Sequence, residues 1–478
     1  MTNSPQAIGI IHFIGIGGIG MSGIAEVLHN IGYKVQGSDL SDGPNIQRLE
    51  KIGIPIFIGH KASQIADVEV VVISSDVPDT NPELIEARAR LIPVVRRAEM
   101  LGELMRFKSA IAVAGTHGKT TTTSLIASLL ETAKMDPTVV NGGIINSYNT
   151  NARLGTGEWM VVEADESDGS FLKLPATIAV ITNIDPEHMN YYGTFDNLKL
   201  AFENFILNIP FYGFGVLCLD HPVVQSIIPH VSERRLITYG TNPQANVRAH
   251  NIQLQPEGAR FDVEIMTRKL KRPKHLKNIF LPMMGHHNVL NSLVPIAIGH
   301  ELGLADDVII EGLAQFKGVK RRFTKTGHVD GITIIDDYGH HPVEIKAVLK
   351  AGRQATKNKI IAVFQPHRYT RVESLFEEFC SAFNDADIVI VSDVYAARED
   401  AIPGISKESL VAGLRQHGHR QVISLPNPHH LPEIVHSMAQ KGDYVICLGA
   451  GDVTKWAYAL PEALEKIRST TQFQEAYV

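Results

Sequence analysis

Residues 109–133 read SAIAVAGTHGKTTTTSLIASLLETA, and three kinds of local structure are written there in order. Ile111–Ala114 is a short run of small and β-branched residues, a buried strand. Gly115 to Gly118 form a turn. Beyond it, Leu125, Ile126, Leu129 and Leu130 recur at the spacing of one buried helix face. Strand, glycine turn and helix, with Lys-Thr opening the helix, is an arrangement suited to phosphate. Glycines let backbone N–H groups turn inward, and the helix N-terminus adds positive partial charge. In the usual pattern, G-x-x-x-x-G-K-[ST], the first glycine falls where this chain has Val113. The loop is therefore a shorter G-x-x-G-K-T. Lys119 can neutralise β/γ-phosphate oxygens and the Thr120 hydroxyl can coordinate Mg²⁺. The candidate ATP contacts are Gly115, Thr116, His117, Gly118, Lys119, Thr120 and Thr121. A plain glycine turn with a helix-capping threonine is the competing reading.

A triphosphate site needs carboxylates for its metal. The next strand supplies them in VVEADESD: Glu163, Asp165, Glu166 and Asp168. A strand over 159–163 puts Glu163 at its C-terminal end, where α/β proteins bind ligands. The strand after that ends in TNIDPEHMNYYG, which brings Asp185, Glu187 and His188 to the same edge. Histidine is an unusual ligand for a hard cation, so chemistry alone reads His188 as structural.

Working outward, the chain has 478 residues, enough for about three domains. Strand–helix alternation begins again at both ends, so the fold class is α/β with three open sheets of largely parallel strands. The expected domains are 1–107, 108–322 and 323–478. Hydrophobic residues make up 44% and charged residues 20%, an ordinary globular balance. A formal net charge of −6 argues against a nucleic-acid partner or a membrane-surface role. The apolar start at Ile8–Ile16 has no preceding Lys or Arg and is broken by glycines, so it does not read as a signal peptide. No stretch reaches the roughly 20 apolar residues of a membrane span, and the protein is expected to be cytoplasmic. Cys218, Cys380 and Cys447 are too far apart for a metal or disulfide pattern, and they read as buried thiols.

The N-terminal IIHFIGIGGIGMSGIAEVL holds a G-x-G-x-x-G at Gly15, Gly17 and Gly20, with Gly18 between. This motif fits any diphosphate, including those of NAD, FAD and a UDP-sugar. Asp39 follows at a spacing suited to gripping a ribose. An NAD-linked oxidoreductase is therefore a legitimate reading of this segment alone, and a nucleotide-binding regulator is another. Ser74 and Ser75 end a further strand and are additional candidates. Toward the C-terminus, QPHRYTR places His367, Arg368 and Arg371 after the strand KIIAVFQ. Two arginines three apart can form a pocket for a small carboxylate. The glycine turn LGAGDV at 448–453 reads as packing.

GTHGKTTTT, EADESD, TNIDPEHM and GHHNVLN, in this order, resemble the ATPase core of the Mur ligases. IHFIGIGGIGMSGIAEVL, RAEMLGELM, GVKRRF, DDYGHHP and QPHRYTR are similar to the branch of that family that adds L-alanine. The resemblance implies a Rossmann-like N-terminal domain for a UDP-sugar, a central P-loop-type ATPase domain and a Rossmann-like C-terminal domain for the amino acid. It implies ATP-dependent ligation of L-alanine to UDP-N-acetylmuramate through an acyl phosphate, in peptidoglycan synthesis. A recycling ligase that attaches a whole tripeptide is the alternative within the family. The resemblance places Mg²⁺, expected as two ions, on Glu163 and His188, in addition to Thr120 of the loop. It sets His287, Asn288 and Asn291 near the adenine and Arg322 near the ATP phosphates. Lys119, His188 and Arg322 then become the catalytic candidates. Arg368 and Arg371 meet the alanine carboxylate, with Tyr338 and His367 near the amine. Many relatives carry a carbamoylated lysine near the metal. Lys199 lies in the corresponding region, but the alanine-adding branch is expected to manage without one.

Overall fold

The computed structural model describes residues 8–74, 76–268, 270–397 and 399–475. Its strands form three sheets, each with a helix-covered, largely parallel part, as the alternation of elements implies.

The first sheet contains β1 (Ile10–Ile14), β2 (Val35–Asp39), β3 (Ile56–Ile58), β4 (Val68–Ile73) and β5 (Val94–Arg96). Their order is β3-β2-β1-β4-β5 and every pairing is parallel. Strand order reverses between β1 and β4, which opens a crevice at their C-terminal ends. Helix α1 (Ile19–Asn30) starts directly after the glycine turn and buries Met21, Ile24, Val27 and Leu28. Three more helices follow: α2 (Pro44–Lys51), α3 (Pro82–Ala89) and α4 (Arg97–Met105). Asn81 caps α3 through its side-chain oxygen, which accepts from Glu83 N and Leu84 N.

The second sheet begins with β6 (Ser109–Ala114), followed by helix α5 (Lys119–Thr132). It continues through β7 (Thr138–Ile145), β8 (Thr150–Arg153), β9 (Trp159–Glu163), β10 (Ile178–Ile181), β11 (Phe214–Cys218) and β12 (Leu236–Gly240). Three longer strands complete it: β13 (Val247–Gln255), β14 (Gly258–Ile265) and β15 (Lys274–Leu281). The order is β15-β14-β13-β12-β11-β10-β6-β9-β7-β8, so β6 lies between β10 and β9. That placement sets the phosphate loop between the two strand ends that carry the carboxylates. In α5, Leu125, Ile126, Leu129 and Leu130 are fully buried, the face expected from their spacing.

The third sheet contains β16 (Thr324–Val329), β17 (Ile332–Asp337), β18 (Ile360–Phe364), β19 (Ile388–Val391), β20 (Val422–Ser424) and β21 (Tyr444–Leu448). Its order is β16-β17-β21-β18-β19-β20, parallel except for the antiparallel edge strand β16.

Two compact units result. One comprises Met1–Asn251, Phe261–Leu281 and Val289–Lys317, and the other Ile252–Arg260, Pro282–Asn288 and Gly318–Val478. Within the first unit an apolar cluster runs from Ile11 to Val231 and joins the first sheet's helices to the second sheet. The three cysteines are buried and unbonded. Among the described residues no helix is long and apolar enough to cross a membrane.

Candidate active site

The phosphate loop connects β6 to α5. Gly115 and Gly118 take φ of 128° and 83°, in the left-handed region that glycine adopts without strain. A side chain at Gly118 would also put its Cβ 2.8 Å from Asn291 Oδ1. Residues at the end of β10 brace the loop. The Asn183 side chain accepts from His117 N at 2.7 Å, and its backbone carbonyl accepts from Thr116 N at 3.1 Å. The Thr182 hydroxyl donates to His117 O at 2.7 Å, and Asp185 N donates to the Thr116 hydroxyl at 2.8 Å. The loop is thus held open as a ring of backbone groups over the start of a helix.

Lys119 folds back into this ring. Its Nζ donates to Gly115 O at 2.6 Å, Thr116 O at 3.2 Å and Glu166 Oε1 at 3.0 Å. Burial alone would lower its pKa, but Glu166, Glu163 and Asp165 raise it, so the ammonium stays charged. Glu166 is pushed up to about 7, chiefly by burial, with Lys119 opposing and Asp165 adding to the rise. Of the four carboxylates in EADESD, Glu166 is therefore the one that meets the lysine.

Glu163 ends β9, and its carboxylate accepts from Gly142 N at 2.8 Å. His188 holds a left-handed backbone, φ 59°, a strained conformation for histidine. Its Nε2 lies 3.9 Å from Glu166 Oε1 and 3.7 Å from Glu187 Oε2. Lys119, Glu166 and His188 thus come together, with Glu163 in electrostatic reach of Lys119. Among the described residues no three His, Cys, Asp or Glu side chains converge as a metal cage. The donor types fit Mg²⁺ nevertheless: a buried hydroxyl at Thr120 and carboxylate oxygens at the strand ends are hard ligands. Asp185 is pulled strongly down: hydrogen bonds from His117 and His221 outweigh the effect of its burial. Lys199 pairs instead with Asp196, one turn earlier on its own helix, and lies over the Phe195 ring.

In the first sheet the glycine turn spans Gly15 to Gly18, and Gly18 precedes the first residue of α1. Asp39, at the end of β2, accepts from Gly17 N at 2.9 Å. Its carboxylate braces the turn. Ser74 follows the last residue of β4, across the crevice from the turn. Ser75 lies outside the described residues. Arg97 donates to Asp165 at 3.0 Å, and its Nη1 would lie 2.9 Å from a Cβ placed on Gly20.

The second compact unit gathers another set. His287 is driven down to about 4 by burial, with Arg322 and His286 adding to the fall. Asn288 and Asn291 are both buried, but Asn291 belongs to the first unit. Arg322 lies over the Tyr338 ring, 5.5 Å from its centroid, and 3.9 Å from Glu344. Arg321 stacks on the same ring at 4.7 Å. Asp337, pushed up to about 6 mainly by burial, accepts from Phe323 N and Gly339 N, both at 2.7 Å. It thereby ties the GVKRRF turn to the DDYGHHP loop.

A row of rings follows: Tyr338 to His340 at 5.2 Å, His340 to His367 at 5.8 Å and His367 to Tyr395 at 5.5 Å, the last nearly parallel at 8°. His340 and Tyr395 went unread in the sequence. Arg371 Nη1 approaches His367 Nδ1 at 3.3 Å, and Arg368 lies 4.0 Å from Glu399. His367 is driven down to about 3, first by burial and then by His340, Arg371, Arg368 and Arg321. The imidazole is neutral at physiological pH and ringed by cations. The LGAGDV turn is packed: Arg321 donates to Gly449 O at 2.6 Å and the Gln365 side chain accepts from Val453 N at 3.0 Å.

A braced phosphate loop, a lysine among strand-end carboxylates and a separate cationic pocket define a nucleotide-dependent ligase, and the chain belongs to the Mur ligase family. Family models match in succession: Mur ligase family, catalytic domain, at residues 10–109; Mur ligase middle domain at 113–299; and Mur ligase, glutamate ligase domain, at 321–451. More particularly, the chain is 62% identical over 97% of its length to the UDP-N-acetylmuramate–L-alanine ligase of Rhodospirillum rubrum, covering 96% of that protein. It is 60% identical over 96% of its length to the enzyme of the same name from Rhizobium etli, covering 98% of it. The crystal structure of UDP-N-acetylmuramate-alanine ligase from Thermotoga maritima superposes with a TM-score of 0.80 at 29% identity, covering 96% of this chain and 99% of that one. A murein peptide ligase from Psychrobacter arcticus shares the fold at a TM-score of 0.70 and 22% identity, over 95% of this chain and 98% of that one.

Proposed function

We infer that the protein joins L-alanine to the carboxylate of UDP-N-acetylmuramate, using ATP and releasing ADP and phosphate, in the cytoplasmic stage of peptidoglycan synthesis. The observation that carries this reading is the cluster of Lys119, Glu166 and His188 under a braced phosphate loop. Relatives about 60% identical over nearly the whole chain carry the alanine-ligase name.

A carboxylate does not condense with an amine unaided in water, so ATP must activate it. The muramyl carboxylate attacks the γ-phosphate in line, giving an acyl phosphate and ADP. Gly115–Thr121 hold the phosphates through backbone N–H groups, and Lys119 stabilises the charge that spreads over the transferred group. Thr120, Glu163 and His188 would hold Mg²⁺, which neutralises phosphate charge when bound. Arg322 adds a cation toward the phosphates, and His287, Asn288 and Asn291 face the adenine. Gly15, Gly17, Gly18, Gly20, Asp39 and Ser74 serve the UDP-sugar.

The alanine amine then attacks the acyl carbon, and the tetrahedral intermediate releases phosphate. Arg368 and Arg371 take the alanine carboxylate. Tyr338 and His367, at either side of His340 in the row of rings, lie near the incoming amine; the low pKa of His367 keeps its imidazole uncharged there and leaves it too weak a base to take the ammonium's proton. A tripeptide joined through its N-terminal alanine would present a neutral amide to the arginine pair. Such a peptide would forgo the charge-assisted hydrogen bonds that a free carboxylate makes with the arginines, which favours a free amino acid. The domains we propose are 1–107 for the UDP-sugar, 108–322 for ATP and 323–478 for the amino acid. The test is ADP release that requires both UDP-N-acetylmuramate and L-alanine.

A further inference from the structure

Residues 268–277 read RKLKRPKHLK, with six Lys or Arg and one His in ten positions. No Asp or Glu occurs between Glu264 and Glu301. In a chain whose formal net charge is −6, this run reverses the average. It joins β14 to β15, neighbours in the second sheet, and continues into β15, the sheet's edge strand. Arg268, Lys271, Arg272 and Lys277 are exposed, and Lys269 lies outside the described residues. Two of the basic groups are answered locally: Lys274 Nζ lies 2.5 Å from Asp306, and His275 Nδ1 4.0 Å from Glu264. Among the described residues no carboxylate pairs with Arg268, Lys271 or Arg272.

Charge on an edge strand keeps one sheet from pairing with another. That accounts for Lys274 and Lys277, which stand on β15. It does not account for Arg268, Lys271 and Arg272, which precede the strand in the connecting loop. The apolar residues beside them narrow the choice of partner. Met266 opens the loop and is 41% exposed, and Leu270 is half-buried. Single-stranded nucleic acids are gripped by aromatic rings on which bases stack, and residues 266–277 contain none. Exposed apolar groups among cations suit a surface that is anionic outside and apolar beneath, which is an anionic phospholipid bilayer. The chain's negative total does not oppose this. Charges farther than about 8 Å are screened at physiological salt, so a bilayer meets the loop and not the average. Five strands separate β15 from β6 in the sheet order, so a bilayer at the loop is remote from the phosphate loop.

We propose that the loop at 266–273 and the start of β15 form a peripheral docking surface for anionic phospholipid, which holds the protein reversibly at a membrane while the catalytic site stays free.

The experiment sediments the full chain with vesicles of phosphatidylcholine alone, and of phosphatidylcholine with one third phosphatidylglycerol. Wild type should pellet with the anionic vesicles only, and should be released at about 1 M salt, where the Debye length falls to about 3 Å. Each Lys or Arg near such a surface is worth about fivefold in partitioning (about 1 kcal/mol), so the triple variant Arg268→Gln, Lys271→Gln, Arg272→Gln should bind on the order of 100-fold more weakly. Met266→Ser should also weaken binding, which a purely ionic contact would not show. ADP release by each variant should match wild type and establishes that it is folded. Should the triple variant fail to fold, Lys271→Gln alone, with its fivefold loss, takes its place. Equal pelleting with neutral and anionic vesicles, undiminished binding by the charge variants, unchanged binding by Met266→Ser, or capture of duplex DNA without capture of vesicles would each overturn the proposal.

Discussion

Replacing Lys119 with alanine has two consequences of different size. The first concerns stability. The ammonium is the close cationic partner of Glu166, whose side chain is 2% exposed. Breaking a buried pair by removing one partner costs about 3–5 kcal/mol when the remaining charge stays buried. Here it does not stay. Glu166 already sits at about 7 with Lys119 opposing the rise, so without the lysine it moves higher and is protonated at neutral pH. The loss should fall below that range. The folded variant then holds a proton that the unfolded chain releases above the ordinary carboxylate pKa. Its stability should accordingly decline as pH rises through the interval between the two values. The second consequence is catalytic. Lys119 acts on charge that develops during phosphoryl transfer, and losing one such preorganised group costs on the order of 10²–10³-fold in rate, about 2.7–4 kcal/mol. Circular dichroism and thermal melts establish the fold, and ADP release at saturating substrates measures kcat. A folded Lys119→Ala protein working within about tenfold of wild type, beyond what the lost contact allows, would refute the assignment of the loop.

Glu163→Ala and His188→Ala should each raise the Mg²⁺ concentration needed for half-maximal rate and lower kcat. If His188→Ala moves only the melting temperature, the histidine is structural. Arg368→Ala and Arg371→Ala should raise KM for L-alanine far more than KM for ATP or the UDP-sugar, and equal changes in all three would contradict the pocket. Glycine lacks only one methyl, so discrimination against it should not exceed about 10–200-fold, read as a ratio of kcat/KM values. His367 titrates at about 3 when folded, below its ordinary range, so its contribution to stability is present above the unfolded value and lost as pH falls toward the folded one. His367→Gln should flatten the fall in melting temperature between about pH 6.5 and 4, and an unaltered profile would place the imidazole in a solvated setting.

Much of this was legible because the sequence writes each element with its own period. The spacing of residues 109–133 alone spells strand, loop and buried helix face. Carboxylates at strand ends announced themselves as EADESD and NIDPEH. What stayed hidden were contacts between distant segments. Glu166 could not be singled out from Glu163, Asp165 and Asp168, because only the turn after β9 decides which carboxylate reaches Lys119. Asn183 reads as an ordinary polar residue until β10 is placed beside β6. Short edge strands such as Ile56–Ile58 and Val94–Arg96 carry too few residues for alternation to show. Asp39 was read as a ribose ligand from its spacing, and spacing cannot reveal that its carboxylate braces Gly17. His340 and Tyr395 lie 55 residues apart in sequence (340 to 395) and join one row of rings only through His367.

The most direct test of the account supplies the protein with ATP, Mg²⁺ and UDP-N-acetylmuramate, then adds amino acids or peptides one at a time while ADP release and product mass are followed. L-alanine should give the fastest ADP release and a product heavier than the UDP-sugar by one alanine residue. Glycine should react weakly and large side chains not at all. Faster turnover with the tripeptide L-Ala-D-Glu-diaminopimelate than with L-alanine, or ADP release that ignores the amine altogether, would contradict it.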